Sequence, residues 1–339
     1  MADLVRNIIR LQAELVNSVP SVGTQQSSSL VHDLGFGRRR LRTDNSFIRW
    51  YWDGNIELTR MMLDYYAHTQ DHAFATNNLL PIASDVVDLF DHRFARDAGG
   101  KILFSPAMSL ETYHEGTTNP LPVIAGLNSI LTDLLQLPPA VLPAARSNQW
   151  ARMLAELPPI PTRVLSGQTV ISPAAVLGPK ANVETPELYA VFPYRQYGLG
   201  RSNLDLAQRT YNLRQDIGTF GWTQDPIFAA MVGVTNDAKA QVISRFAAKN
   251  SASRFPGFYG PNYDWTPDQD HPSVAMIALQ KMLIQCVGDR ILLFPTWPAD
   301  WDVEFKLHAP KTPCCKVRCA RAGLKLSPSH RPRGPKMWK

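Results

Sequence analysis

Three segments of the 339-residue chain crowd carboxylates against aromatic rings: Trp50-Tyr51-Trp52-Asp53-Gly54, Ser109-Leu110-Glu111-Thr112-Tyr113-His114, and residues 261 to 271, PNYDWTPDQDH, which carry Asn262, Asp264, Trp265, Asp268, Asp270 and His271. Each lies just before or between predicted helices. Flat rings cover the apolar face of a pyranose while acids bond its hydroxyls and move protons, so the pattern fits a sugar site. Cleaving a glycosidic bond needs one carboxyl kept protonated and a second group that activates water or attacks carbon. Glu111 and one of Asp264, Asp268 and Asp270 have the right types. The same residues have plain structural readings. An acid before a helix satisfies free amides, an aspartate cluster makes caps and a turn, and tryptophans fill cores. Residue chemistry alone leaves both readings open.

Other chemistries are excluded by spacing. His114-Glu115 begins like a zinc-protease helix, but Thr118 stands where the second His is needed. Asp264, Asp268 and Asp270 resemble part of a calcium loop, yet the required glycine is missing and Ala275 takes the place of the closing Glu. Gly35-Phe36-Gly37 and Gly198-Leu199-Gly200 lack the third glycine of a dinucleotide turn. Cys286 stands alone, while Cys314, Cys315 and Cys319 lack the paired spacing of a zinc site. No metal and no other cofactor is expected.

The elements that must position these residues are mostly helical. Leu58, Met61, Met62, Tyr65 and Tyr66, then Ile82, Val86, Leu89 and Phe90, then Val123, Ile124, Leu127, Ile130, Leu131 and Leu134 repeat at three and four, each marking one buried helical face. Further helices are predicted at 147–157 with Ser147 as cap, 204–216, 237–248 and 272–285, separated by loops rich in Pro, Gly and Asn. Strand signals are scarce, the clearest being Ile291 to Leu293 and the alternation Val303, Phe305, Leu307. No βαβ alternation appears. Successive helices with aromatic, acidic loops predict an all-α toroid or bundle whose loops converge on a cleft.

Hydrophobic residues at 45% and charged residues at 19% are ordinary globular composition. The net charge of +6 is local: residues 311–339 hold nine Lys or Arg and no acid, leaving 26 basic against 29 acidic residues in 1–310. The body therefore has no phosphate-binding stripe, and no nucleic-acid partner is expected. No window approaches the run of about 18 apolar residues that suggests a membrane span, and Asp3, Arg6, Arg10 and Glu14 interrupt any signal-peptide pattern. Localisation stays open.

The stretches PAMSLET at 106–112, DHPSVAMIALQKMLIQ at 270–285 and RILLFPTWP at 290–298 resemble glycoside hydrolase family 95, which includes inverting 1,2-α-L-fucosidases. A related group of six-hairpin glycosidase-like proteins is more similar still, sharing WPADWD at 297–302 and FKLHAP at 305–310. The similarity runs from about Asn45 to Pro310. It implies an (α/α)6 toroid, an inverting hydrolysis of O-glycosidic bonds in a carbohydrate substrate, Glu111 as the acid that protonates the leaving oxygen, and Asp270 as the residue that holds and polarises water.

The chain departs from the family in places. Nothing in the first 45 residues resembles the family's pair of water-assisting asparagines, and Asn55 belongs to a later helix. The family's His-rich substrate segment is replaced by Asn182-Val183-Glu184-Thr185-Pro186-Glu187-Leu188-Tyr189, so fucose specificity does not carry over. Its Gly-Trp-Ser segment reads Gly221-Trp222-Thr223 here.

These readings divide the chain into a lead-in at 1–44, a toroid at 45–288, the start of a C-terminal β region at 289–310 and a basic tail at 311–339, where the abrupt change of pattern predicts a frameshifted or misjoined end. The toroid is expected to be incomplete, with a missing β domain or partner chain over its open edge. Trp52, Trp222, Tyr259 and Trp265 are the stacking candidates, and Glu187, Asn262, Asp264, Asp268 and His271 the expected lining. Inversion predicts the carboxyls of Glu111 and Asp270 about 6.5 to 9.5 Å apart. A non-catalytic carbohydrate-binding or structural protein is the rival reading.

Overall fold

The computed structural model describes residue 47, residues 50–218, 221–249 and 270–310, and the backbone of 315–320 and 323–326. Helix α1 (Gly54–Thr69) ends where Gln70 turns left-handed at φ 54° and returns its N–H to Tyr66 O. A short turn, His72–Phe74, and a π-helical stretch, Ala75–Leu79, lead into α2 (Leu80–Arg93). Strands β1 (Ala107–Ser109) and β2 (Tyr113–Pro120) form a hairpin, and β2 runs directly into α3 (Leu121–Leu135). Pro122 fits the first turn of α3, where a missing N–H costs nothing.

Next come α4 (Ala144–Glu156), the hairpin β3 (Thr162–Leu165) and β4 (Gln168–Ile171), and β5 (Ala174–Val176), which pairs antiparallel with β2. Then follow α5 (Leu204–Leu213), α6 (Asp225–Val232), α7 (Thr235–Ala247) and α8 (Asp270–Leu283). The hairpin β6 (Ile284–Val287) and β7 (Arg290–Leu293) adjoins the sheet of β8 (Val303–Leu307), β9 (Cys315–Ala320) and β10 (Gly323–Leu326) in sequence. That sheet has the order β10-β9-β8. Part of the basic segment after residue 311 is thus paired backbone, with Phe305 in register with Val317.

Two apolar clusters hold the helices. The first gathers Ile56, Leu63, Val86, Phe90, Phe104, Leu127, Ile130 and Trp150 from α1 to α4 and the segment before β1. The second gathers Leu188, Tyr211, Phe228, Met231, Val242, Ala278 and Met282, with α6 packed between α5, α7 and α8. Gly126 lets α1 approach α3: a Cβ there would lie 2.6 Å from Ile56 and 2.7 Å from the Tyr194 ring.

Three expectations change. Helix α4 starts at Ala144 after Pro143, so Ser147 is not its cap. Every residue of α6 is buried, which removes the polar face that gives a helix its periodicity. Strands β1 to β5 add more sheet than the strand signals suggested; they are short and carry Gly116, Asn119, Pro120 and Gly167 in or beside them. Among the described residues, no helix is long and apolar enough to cross a membrane.

Candidate active site

The first turn of α1, the tip of the β1–β2 hairpin and the segment 182–184 bring four carboxylates together. Asp53 occupies the N-cap position of α1 with helical backbone angles, which keep its side chain from the cap hydrogen bond it would otherwise make. It is 1% exposed, and neither carboxyl oxygen accepts a hydrogen bond among the described residues. Burial, then Glu57 and Glu184, raise its pKa well above the ordinary value. Glu57, one turn on and half-buried, has an unpartnered Oε1 and is pushed by burial up to about 7.

Glu111 reaches the same hollow from the hairpin tip. Ser109 Oγ donates to Pro173 O at 2.7 Å and anchors β1. Leu110 then turns left-handed at φ 49°, a conformation unfavourable for a leucine and held here by its complete burial. Glu111 N–H donates to Glu184 Oε2 at 2.8 Å, and Asn182 Nδ2 donates to Glu111 Oε2 at 3.3 Å. Thr112 ties the two segments together, its Oγ1 accepting from Glu184 N–H at 3.0 Å and lying 3.2 Å from Glu184 Oε2. Glu184 is pushed up to about 8, first by burial and next by the charge of Glu111. At neutral pH this pair of glutamates holds a proton.

Phenols complete the wall. Tyr51, Tyr189 and Tyr194 all have pKa values raised by burial first and then by Glu57. Gln224 Nε2 donates to Tyr189 Oη at 3.4 Å, which brings the start of α6 to this side of the fold. The cluster is recessed but not sealed, since Tyr51, Glu57, Glu111 and Glu184 all keep part of their surface. Among the described residues, no group of three His, Cys, Asp or Glu is placed to hold a metal ion.

The other expected residues fall elsewhere or outside view. Trp52 is 2% exposed, with Nε1 donating to Pro106 O at 3.1 Å and its ring edge-on to Phe94. It is a core residue and offers no stacking face. Glu187 is buried on the far side of its 3-10 turn, Pro186–Leu188, 3.9 Å from Arg163. Burial pushes it up to about 7, and its charged neighbours are Arg163, Asp216 and Lys180. His271 is buried with Nε2 3.1 Å from Arg245 O, where it joins α8 to the end of α7. Asp270 opens α8 and is exposed. Trp222 is half-buried, two residues before Gln224. Tyr259, Asn262, Asp264, Trp265 and Asp268 lie outside the described residues.

Sequence reading missed Glu57, which looks like an ordinary first-turn acid favoured by the helix dipole. Asp53 and Glu184 stood in segments singled out for other reasons. One available signal was the run Asp53 to Glu57: two acids one turn apart share a helical face.

No family model matches the chain, and no curated protein matches it. Among solved structures, the chain is similar to one described as "Putative kojibiose phosphorylase from human microbiome", with a TM-score of 0.54 and 9% identity over 83% of this chain and 46% of that one. The chain therefore spans less than half the length of that structure. At this identity the likeness is one of fold alone, a shared helix-rich architecture, and it does not single out family 95.

Proposed function

We propose that the chain is the helical part of an enzyme that cleaves O-glycosidic bonds with inversion, using Glu111 and Glu184 as a proton-holding pair. The observation that carries this reading is the packing of Glu111 against Glu184, whose Oε2 accepts the Glu111 N–H, with the Glu184 carboxyl held up to about 8. A glycosidic oxygen leaves only when a nearby carboxyl still carries a proton at working pH, and this pair supplies one. Glu184, neutral at working pH, stores the proton, and Glu111 passes it to the leaving oxygen. The phenol of Tyr51, which keeps part of its surface, binds sugar hydroxyls, with Asp53 and Tyr189 buried behind it. The neighbour described as a phosphorylase supports a carbohydrate substrate through fold alone.

Water activation falls to a second carboxyl. The family pattern assigns it to Asp270; burial favours Glu57, whose value of about 7 suits a base working near neutrality. The test is release of sugar from aryl glycosides and oligosaccharides, with and without inorganic phosphate, by the parent chain and by Glu111→Gln, Glu57→Gln and Asp270→Asn. Glu111→Gln is expected to lower kcat on oligosaccharides by about 10²- to 10⁴-fold, the usual worth of general acid catalysis. Of the other two, the water-activating residue loses kcat to a similar degree. Sugar binding that survives Glu111→Gln, with no turnover in any form, would establish the non-catalytic binding protein instead.

A further inference from the structure

Away from the carboxylate hollow, the later turns of α1 border two adjoining cavities of about 790 and 280 Å³ that share Asp64, Arg195, Tyr197, Arg201, Cys286 and Pro310. Helical rise sets Asp64, shared by both cavities, about 16 Å along α1 from Asp53, while Arg60 on the wall of the larger cavity lies one turn from Glu57. Its charges are unevenly matched. Arg60 donates to Asp64 at 2.9 Å and to Asp133 at 2.5 Å, and Arg195 grips both oxygens of Asp64. Both aspartates are thus already neutralised by guanidinium groups.

The side-chain amine of Lys281 on α8 and the guanidinium of Arg201 line the same space, and neither has a hydrogen bond or ion pair to any described residue. Lys281 is half-buried beside Arg195 with Asp64 as its nearby acid, and Arg201 has Asp133 as its nearby acid and Arg195 and Arg290 as cationic neighbours. Burial, then Arg195, push Lys281 down to about 8. A partly desolvated amine beside a guanidinium costs free energy until an anion joins it. The combined volume admits a sugar-sized body as well as the anion.

We propose that this cavity binds a small ligand bearing a phosphoryl group, its oxygens taken by Lys281 and Arg201 in front of the Arg195–Asp64 pair. Converging cations match a tetrahedral dianion better than a lone carboxylate, because several oxygens can accept charge-assisted hydrogen bonds at once. Free phosphate and a phosphate monoester share this chemistry.

Calorimetric titration of the full chain with inorganic phosphate, glucose 6-phosphate and glucose tests it, glucose being the control for binding at the carboxylate hollow. Saturable binding of a phosphate probe is expected, weakened at least about tenfold in Lys281→Met and in Arg201→Ala, as loss of a charge-assisted hydrogen bond requires, and unchanged in Glu184→Gln. Tighter binding of the ester identifies a phosphorylated sugar as the source, and equal binding identifies free phosphate. Absence of binding by both phosphate probes overturns the proposal, and so does binding that Arg201→Ala leaves intact. Arg201 is exposed, so its replacement leaves folding undisturbed should Lys281→Met not fold.

Discussion

At the residue scale the hollow is defined by carboxyls that are cheaper to keep neutral than charged. Glu184 carries a folded value of about 8 against the ordinary 4.5. Between those values the folded chain holds a proton that the unfolded chain has released, so stability falls as pH rises through the interval. The contribution is complete below about 4.5 and gone above about 8. Glu57 and Glu187, at about 7 each, act in the same direction. Thermal melts of the parent chain should therefore drop steadily from pH 5 to pH 8. Glu184→Gln, which keeps a carbonyl to accept from Glu111 N–H and cannot ionise, should flatten that slope. A parent melt that rises over the range would show the carboxyls to be charged and matched.

At the element scale the hollow depends on three backbone segments meeting, and glycine sets one of the distances. A Cβ on Gly178 would stand 2.3 Å from His114 O and 2.9 Å from Glu115 O, with Thr117 Oγ1 equally near. Backbone atoms cannot swing aside as a side chain does. Gly178→Ala should therefore part the 178–184 segment from β2, costing about 1 to 3 kcal/mol as overpacking does. It should also lower kcat by moving Glu184 from Glu111 while α1 stays in place, so far-ultraviolet circular dichroism should change little as activity falls. The elements themselves were unevenly legible. The repeats at three and four marked α1, α2 and α3, although Met61 and Tyr65 of the α1 repeat turn out exposed and α3 is buried or half-buried all round. Helix α6 has no wet side, and β1 and β2 are held by pairing and anchors such as Ser109 with Pro173 O, which leave no pattern in composition. Glu111 was legible as a residue type in an aromatic loop; its partner Glu184 was not, because nothing local to 182–184 reveals that it folds against residue 111.

At the scale of the whole molecule, the segment 186–197 joins the two apolar clusters. Leu188 and Val191 belong to the second, while Tyr189, Ala190 and Tyr194 belong to the first, and Tyr197 packs against both. The alternation follows from the chain turning between the clusters, tied by Val191 N–H to Leu188 O and by Tyr197 N–H to Ala190 O. The hollow draws on both sides of this seam, with Glu57 from α1 and Gln224 beside α6 meeting around Tyr189. The seam also reaches the cationic cavity, since Tyr194 and Arg195 are consecutive and Tyr194 feels both Glu57 and Arg60. If the clusters melt as one unit, Leu188→Ala should remove about 2 to 5 kcal/mol, as emptying a fully buried leucine site does, and shift a single thermal transition downward. Calorimetry provides the check through the ratio of calorimetric to van't Hoff enthalpy. A ratio near one, with sugar release and melting lost together, fits a seam that couples the clusters. Two separated transitions in Leu188→Ala would mean that each cluster stands alone and that Tyr189 merely spans the gap.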